Sequence, residues 1–175
     1  MTSNDLNKLA YLENVIKECL RLFPSVPLFT RELKQDCEIG KNSAFLDIAF
    51  IQFRYVSFNS LAGYKILKGV TAVILPYALH RNEKYFPDPE KFDPDRFLPE
   101  NSKDRHPFAY MPFSAGRRNC IGQRFAQMEE KVILAHIFRK FEIKSLKTTE
   151  ELRPTAEIVL KPTGSIPVKL VLRNI

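Results

Sequence analysis

The chain has 175 residues, of which 45% are hydrophobic and 27% charged, enough for one sizeable core within ordinary globular composition. A formal net charge of +7 leaves a basic surface, but the Lys and Arg residues are scattered and no nucleic-acid-binding module surrounds them, so nucleic acid is set aside as a partner. Three irregularly spaced cysteines, Cys19, Cys37 and Cys120, exclude a disulfide framework or a zinc site, and with neither a signal peptide nor ~20 consecutive apolar residues no membrane anchor is expected in this chain.

In chain order, Leu9, Leu12, Ile16, Leu20 and Phe23 recur at spacings of three and four, predicting one helix from Leu6 to Phe23, capped by Ser3 or Asn4 and stopped by Pro24. Short strands follow at Leu28 to Leu33, Cys37 to Ile39, Tyr64 to Leu67 and Thr71 to Leu75, and then a turn or short helix through His80. Gly40 and Gly63 would make a hairpin turn if adjacent. They are separated by 41–62, a stretch with five aromatic residues, Phe45, Phe50, Phe53, Tyr55 and Phe58, and no proline, which reads as an insertion into that hairpin.

From Tyr85 to Pro112 the prolines Pro87, Pro89, Pro94, Pro99, Pro107 and Pro112 exclude a long helix and predict an ordered coil, pinned to a core by Phe86, Phe92, Phe97 and Phe108. A second helix is expected from Gly122 to Phe141, with Phe125, Met128, Val132, Ala135, Ile137 and Phe138 near one buried face. In the tail, Ile158 to Leu160 and Val168 to Leu172, separated by Pro162, Gly164 and Pro167, suggest a closing hairpin.

Cys120 lies immediately before this second helix, whose first free N–H groups favour a thiolate. Taken alone it is more readily a buried, inert cysteine. Its neighbours change that reading. Gly116 and Gly122 bracket the sulfur and permit close approach of a flat ligand, Phe113 can shield the sulfur from water, and Arg118 can meet a carboxylate. Five specified positions in such a run arise by chance in about one chain in 10^4 to 10^5. A nucleophilic role for Cys120 needs a nearby base, and none of His80, His106 or His136 falls in a recognisable Cys-His motif. Glu18 and Arg21 stand at i and i+3, close enough to pair, although such a pair is by itself usually a surface salt bridge.

The run Phe113, Gly116, Arg118, Cys120 and Gly122 matches F-x-x-G-x-R-x-C-x-G and resembles the haem-binding motif of cytochrome P-450 enzymes. Glu18 and Arg21 resemble the E-x-x-R motif of the same family, and Phe92 to Phe97 its P-E-R-F-like element. The segments Arg21 to Pro27, Tyr85 to Phe92 and Pro112 to Gly116 resemble family 4 of these enzymes in an animal or insect form. The resemblance implies an α+β fold, mainly α with small β-sheets, corresponding to the C-terminal third of the family fold and its haem-proximal part.

It further implies haem b (iron protoporphyrin IX) as cofactor, Cys120 as axial iron ligand, and Arg118 and Arg31 as contacts to its propionates. Glu18, Arg21 and Arg96 would form a buried structural network, and Val26 to Phe29 a substrate-contacting segment. An intact relative would be a monooxygenase at the cytosolic face of the endoplasmic reticulum membrane, taking electrons from a flavoprotein NADPH-dependent reductase and oxidising a lipophilic, fatty-acid-like or xenobiotic substrate. The distal helix that delivers protons to oxygen in the family has no counterpart in this sequence. The alternative expectation is therefore a catalytically inactive truncated fragment. The stretch 41–62 reads most simply as a retained intron or gene-model artefact, with a genuine lineage-specific loop as the alternative.

Overall fold

The computed structural model describes residues 3–38 and 65–174, so the predicted insertion at 41–62 lies outside the described residues. The N-terminal helical stretch is two helices, α1 (Ser3–Asn7) and α2 (Ala10–Leu22), rather than one. The break falls at Leu9, whose φ of −87° and ψ of 50° leave the helical region, and no side chain caps α2. Period alone does not register such a break, because the apolar stripe continues across it. Ile16, Leu20 and Leu22 are buried on α2, together with Glu18 and Arg21. The helix ends where the Phe23 N–H donates to the Cys19 carbonyl and Pro24 can no longer supply a donor.

Strands β1 (Phe29–Glu32) and β4 (Thr71–Ile74) pair antiparallel, Phe29 opposite Ile74 and Arg31 opposite Ala72. Between them β2 (Cys37–Glu38) pairs with β3 (Lys65–Ile66), Cys37 opposite Ile66 and Glu38 opposite Lys65. Pro76 opens α3 (Pro76–Leu79), where its missing N–H costs nothing. The proline-rich coil uses the same device three times: Pro94 starts a 3-10 turn to Phe97, Pro99 starts α4 (Pro99–Ser102), and Pro107 starts a 3-10 turn to Ala109.

Two expectations about aromatic burial are corrected. In the coil Phe86 is fully buried, but Phe92 and Phe108 are about half exposed. On the long helix α5 (Gln123–Lys140), Phe125, Met128 and Phe138 are exposed, and the buried residue is Lys131, which ion-pairs with Glu13 of α2 at 2.6 Å. Within this chain α5 packs against α1, α2 and β5 (Phe141–Ser145), which cover only part of its circumference.

The tail also departs from the expected hairpin. Strand β8 (Val168–Leu172) pairs with β5, whereas β7 (Leu160–Pro162) pairs with β6 (Pro154–Ala156), so the two apolar runs join different sheets. A short helix, α6 (Thr149–Leu152), connects β5 to β6 and is held by a capping box in which Thr148 and Glu151 bond reciprocally. The Leu160 N–H donates to the Ser25 carbonyl, tying the tail to the turn after α2. Leu79 and Met111 form a small core with Phe29, Ile74 and Ala115 against it. That core joins the β1–β4 sheet to the segment that leads into Cys120.

Candidate functional site

The site begins on α2, where i, i+3 spacing sets Glu18 and Arg21 on one face and packing removes both from water. Arg21 donates to Glu18 through Nε at 2.7 Å and Nη2 at 2.9 Å, a two-pronged charge-assisted contact. Its Nη1 reaches the His80 carbonyl at 2.8 Å and its Nη2 also reaches the Lys91 carbonyl at 3.2 Å. Glu18 in turn accepts from the Asp93 N–H at 2.8 Å, and Arg96 Nε lies 3.6 Å from the same carboxylate. Glu18, Arg21 and Arg96 thus meet, and with them α2, the segment after α3 and the proline-rich coil.

Arg105, which falls in no sequence motif, belongs to this cluster. Its guanidinium lies over the Phe86 ring at 4.6 Å and near Phe97 at 5.2 Å, while Nη2 donates to the Arg96 carbonyl at 2.7 Å. Burial pushes its pKa below the ordinary arginine value, and the Arg96 charge adds to that effect. His80 was also missed: its ring is completely buried against Phe86 and Tyr110. Neither residue sits in a motif, and a lone arginine or histidine carries no sequence signal for burial.

The cysteine lies on a loop bounded by Met111 and α5. Backbone bonds fold it back on itself: Ser114 N–H donates to the Met111 carbonyl at 3.1 Å, and Cys120 N–H to the Phe113 carbonyl at 2.9 Å. The reversal uses positive φ at two positions, Ser114 (63°) and Gly116 (76°). A Cβ at Gly116 would meet nothing within 4 Å, so glycine answers to the backbone there, whereas at Gly122, the residue before α5, a Cβ would touch Cys120 Sγ at 3.8 Å. Cys120 is exposed, Phe113 half-buried and Arg118 exposed.

Arg31 projects from β1 onto the same loop. Its Nη2 donates to Ser114 Oγ at 2.6 Å and to the Arg118 carbonyl at 3.1 Å, and its guanidinium stacks over Phe29 at 4.9 Å. Cys120 is thus exposed at the head of an 18-residue helix, on the loop that Arg31 grips and to which Arg118 belongs. Among the described residues there is no cluster of three or more His, Cys, Asp or Glu that could hold a bare metal ion. One thiolate is instead the donor set suited to an iron whose equatorial positions a porphyrin fills, with guanidiniums for its carboxylates and a loop free of Cβ bulk at Gly116.

Comparison with known proteins agrees with that chemistry. The sequence model of the family described as "Cytochrome P-450" matches residues 1–46 and 54–170. Cytochrome P-450 4V2 of Rattus norvegicus is 54% identical over 99% of this chain and 29% of its own length, and the Homo sapiens protein of the same name is 53% identical over 99% and 29%. Cytochrome P-450 4c3 of Drosophila melanogaster is 43% identical over 99% of the chain and 28% of its own length. Among solved structures, a retinoic acid bound cyanobacterial CYP120A1 superposes with a TM-score of 0.77 at 32% identity, covering 99% of this chain and 35% of that one. The chain thus spans less than a third of the curated relatives it matches. Haem is the cofactor of these enzymes, and the mixed helices and small sheets are a portion of their fold. By sequence over most of its length and by fold, the chain belongs to the cytochrome P-450 family, with family 4 enzymes among its relatives.

Proposed function

We propose that this chain is the haem-proximal portion of a haem-thiolate monooxygenase, in which Cys120 would hold the haem iron. The reading rests above all on the exposed Cys120 thiol at the head of α5, on a loop that Arg31 ties to β1. Arg118 and Arg31 would meet the haem propionates, Gly116 and Gly122 would leave the ligand room, and Phe113, half-buried on the same loop, would flank the sulfur once the haem covers it. Bound haem supplies the redox-active iron for oxygen chemistry, its electron density raised by the thiolate. The residues of the chain would orient that thiolate, and Glu18, Arg21 and Arg96 hold the coil packed on α2.

An intact protein of this kind takes electrons from a flavoprotein reductase at the cytosolic face of the endoplasmic reticulum membrane and oxidises a lipophilic, fatty-acid-like or xenobiotic substrate. Among the described residues no helix is long and apolar enough to cross a membrane. The isolated chain is expected to bind haem without turnover, because the positioned acid-base group that proton delivery requires has no counterpart in the sequence. NADPH-supported, reductase-dependent product formation by this polypeptide alone would refute that expectation. We read 41–62 as interrupting a hairpin, since the pairing of Cys37 with Ile66 and Glu38 with Lys65 is the register that a Gly40-Gly63 turn would close if those residues were removed.

The decisive experiment is reduction of the haem-reconstituted chain under carbon monoxide. A thiolate-ligated ferrous carbonyl has a strongly red-shifted Soret band. That band is expected for the parent and is lost in Cys120→Ser. A parent chain that takes up haem but never shows it is an inert fragment, not a haem-thiolate site.

A further inference from the structure

His80 is completely buried and lies outside every recognised motif. It touches both halves of the site. Its backbone carbonyl accepts from Arg21 Nη1 at 2.8 Å, and its ring Nε2 accepts from the Met111 N–H at 3.0 Å. Met111 then begins the turn closed by Ser114, and the Phe113 carbonyl inside that turn receives the Cys120 N–H. A chain of bonds therefore runs from α2 through His80 to the cysteine.

An imidazole can accept at Nε2 only when neutral, with its proton on Nδ1. The surroundings enforce that state: burial drives the His80 pKa down to about 3, the Arg21 and Arg81 charges add to the effect, and the Arg21 and Leu20 backbone only partly opposes it. Nδ1 lies beside that backbone without a well-formed hydrogen bond among the described residues. A poorly satisfied buried donor calls for an explanation, and the bond accepted by the opposite nitrogen offers one.

We infer that His80 is a positioning residue for the haem ligand, holding the Cys120 loop against the Glu18–Arg21 network through the Met111 amide. The inference rests on the haem-thiolate reading only for its consequence at the iron; the anchor itself is independent of haem.

The test compares His80→Gln, whose amide oxygen reaches the Nε2 position, with His80→Asn, whose shorter side chain reaches only the Nδ1 position. In the haem-free full chain, amide exchange is followed at Met111 and Cys120, with the Leu146 amide, bonded to the Pro167 carbonyl in the tail, as the reference for general destabilisation. H80N is expected to exchange at Met111 and Cys120 about tenfold faster relative to Leu146, and H80Q at the parental rate. Unchanged Cys120 exchange in H80N, or acceleration equal to that of Leu146, overturns the inference. Should H80N fail to fold, H80Q decides: loss of slow Cys120 exchange in that variant overturns it equally.

With haem bound and reduced under carbon monoxide, H80Q should keep the thiolate-type Soret band while H80N loses most of it to the neutral-thiol form. An H80N protein with the parental proportion of thiolate refutes positioning at the iron. A parent without the thiolate band, but with the predicted exchange pattern, refutes the haem-thiolate reading and leaves the anchor standing.

Discussion

Replacing Glu18 by Gln tests how much of the chain's stability rests on one carboxylate. Glu18 is fully buried, accepts twice from Arg21 and once from the Asp93 N–H, and lies 3.6 Å from Arg96 Nε. Gln keeps the volume but presents one oxygen where two accept, turns an N–H2 toward a guanidinium, and removes the negative charge facing Arg21 and Arg96. Breaking a buried pair from one side costs about 3 to 5 kcal/mol. For a chain of this size that corresponds to a fall in melting temperature of roughly 10 °C, and it is a large part of a typical total stability of about 5 to 15 kcal/mol. The control is Glu13→Gln: Glu13 also meets two cations, Lys17 and Lys131, but its side chain is 41% exposed, so its loss should cost under about 1 kcal/mol. Urea unfolding followed by far-UV circular dichroism measures both. If Glu18→Gln lies within about 1 kcal/mol of the parent, or no lower than Glu13→Gln, the network does not hold the coil.

Acidification tests His80, whose folded pKa of about 3 lies well below its ordinary 6.5. Between those values the unfolded chain takes up a proton that the folded chain refuses, so this stability is complete above pH 6.5 and falls by about 1.4 kcal/mol per pH unit on the way to pH 3, or roughly 2 kcal/mol at pH 5. His80→Gln should flatten the slope in urea titrations run from pH 7 to 5. Gly116→Ala forces an alanine to a φ of 76° and should cost about 1 to 2 kcal/mol with no steric clash, whereas Gly122→Ala, at a φ of −84°, should stay within about 0.5 kcal/mol in the haem-free chain; thermal melts of the two variants separate these cases. Thr148→Ala removes the capping hydroxyl of α6 and should lower unfolding free energy by about 1 kcal/mol in the same melts.

The parts legible in the sequence were those whose cause is local. Proline positions predicted the broken coil, and i, i+3 spacing brought Glu18 to Arg21. The parts that were not legible depend on what each segment meets. Phe86 and Phe92 stand six residues apart in one coil, yet one is buried and the other half exposed, because backbone turns between them decide which ring faces inward. Val168 to Leu172 is plainly a strand, but nothing within it names Phe141–Ser145 as its partner. Gly116 and Gly122 look equivalent around Cys120 and differ in cause: one needs a left-handed backbone, the other sits at the start of a helix. The apolar stripe of α5 predicted burial, but α1, α2 and β5 cover too little of that helix to provide it.

Arginine recurs around the proline-rich coil for a related physical cause. A segment interrupted by prolines forms little regular ladder, so its carbonyls need donors from elsewhere. Three guanidiniums supply them: Arg21 to Lys91, Arg96 to Asp88 and Arg105 to Arg96, at 3.2, 2.8 and 2.7 Å. The Asp88 carbonyl belongs to a residue with a φ of 49°, a conformation that a regular element would not hold. Lysine could not take these places, since its ammonium lacks the planar fork that lets Arg21 grip Glu18 and two carbonyls at once. One carboxylate, Glu18, then faces the resulting positive charge, which is why the cluster is sensitive from its acidic side. The coil's shape is thus written less in its own residues than in the arginines that finish its hydrogen bonds. The Cys120 loop inherits its position from the same cluster through His80.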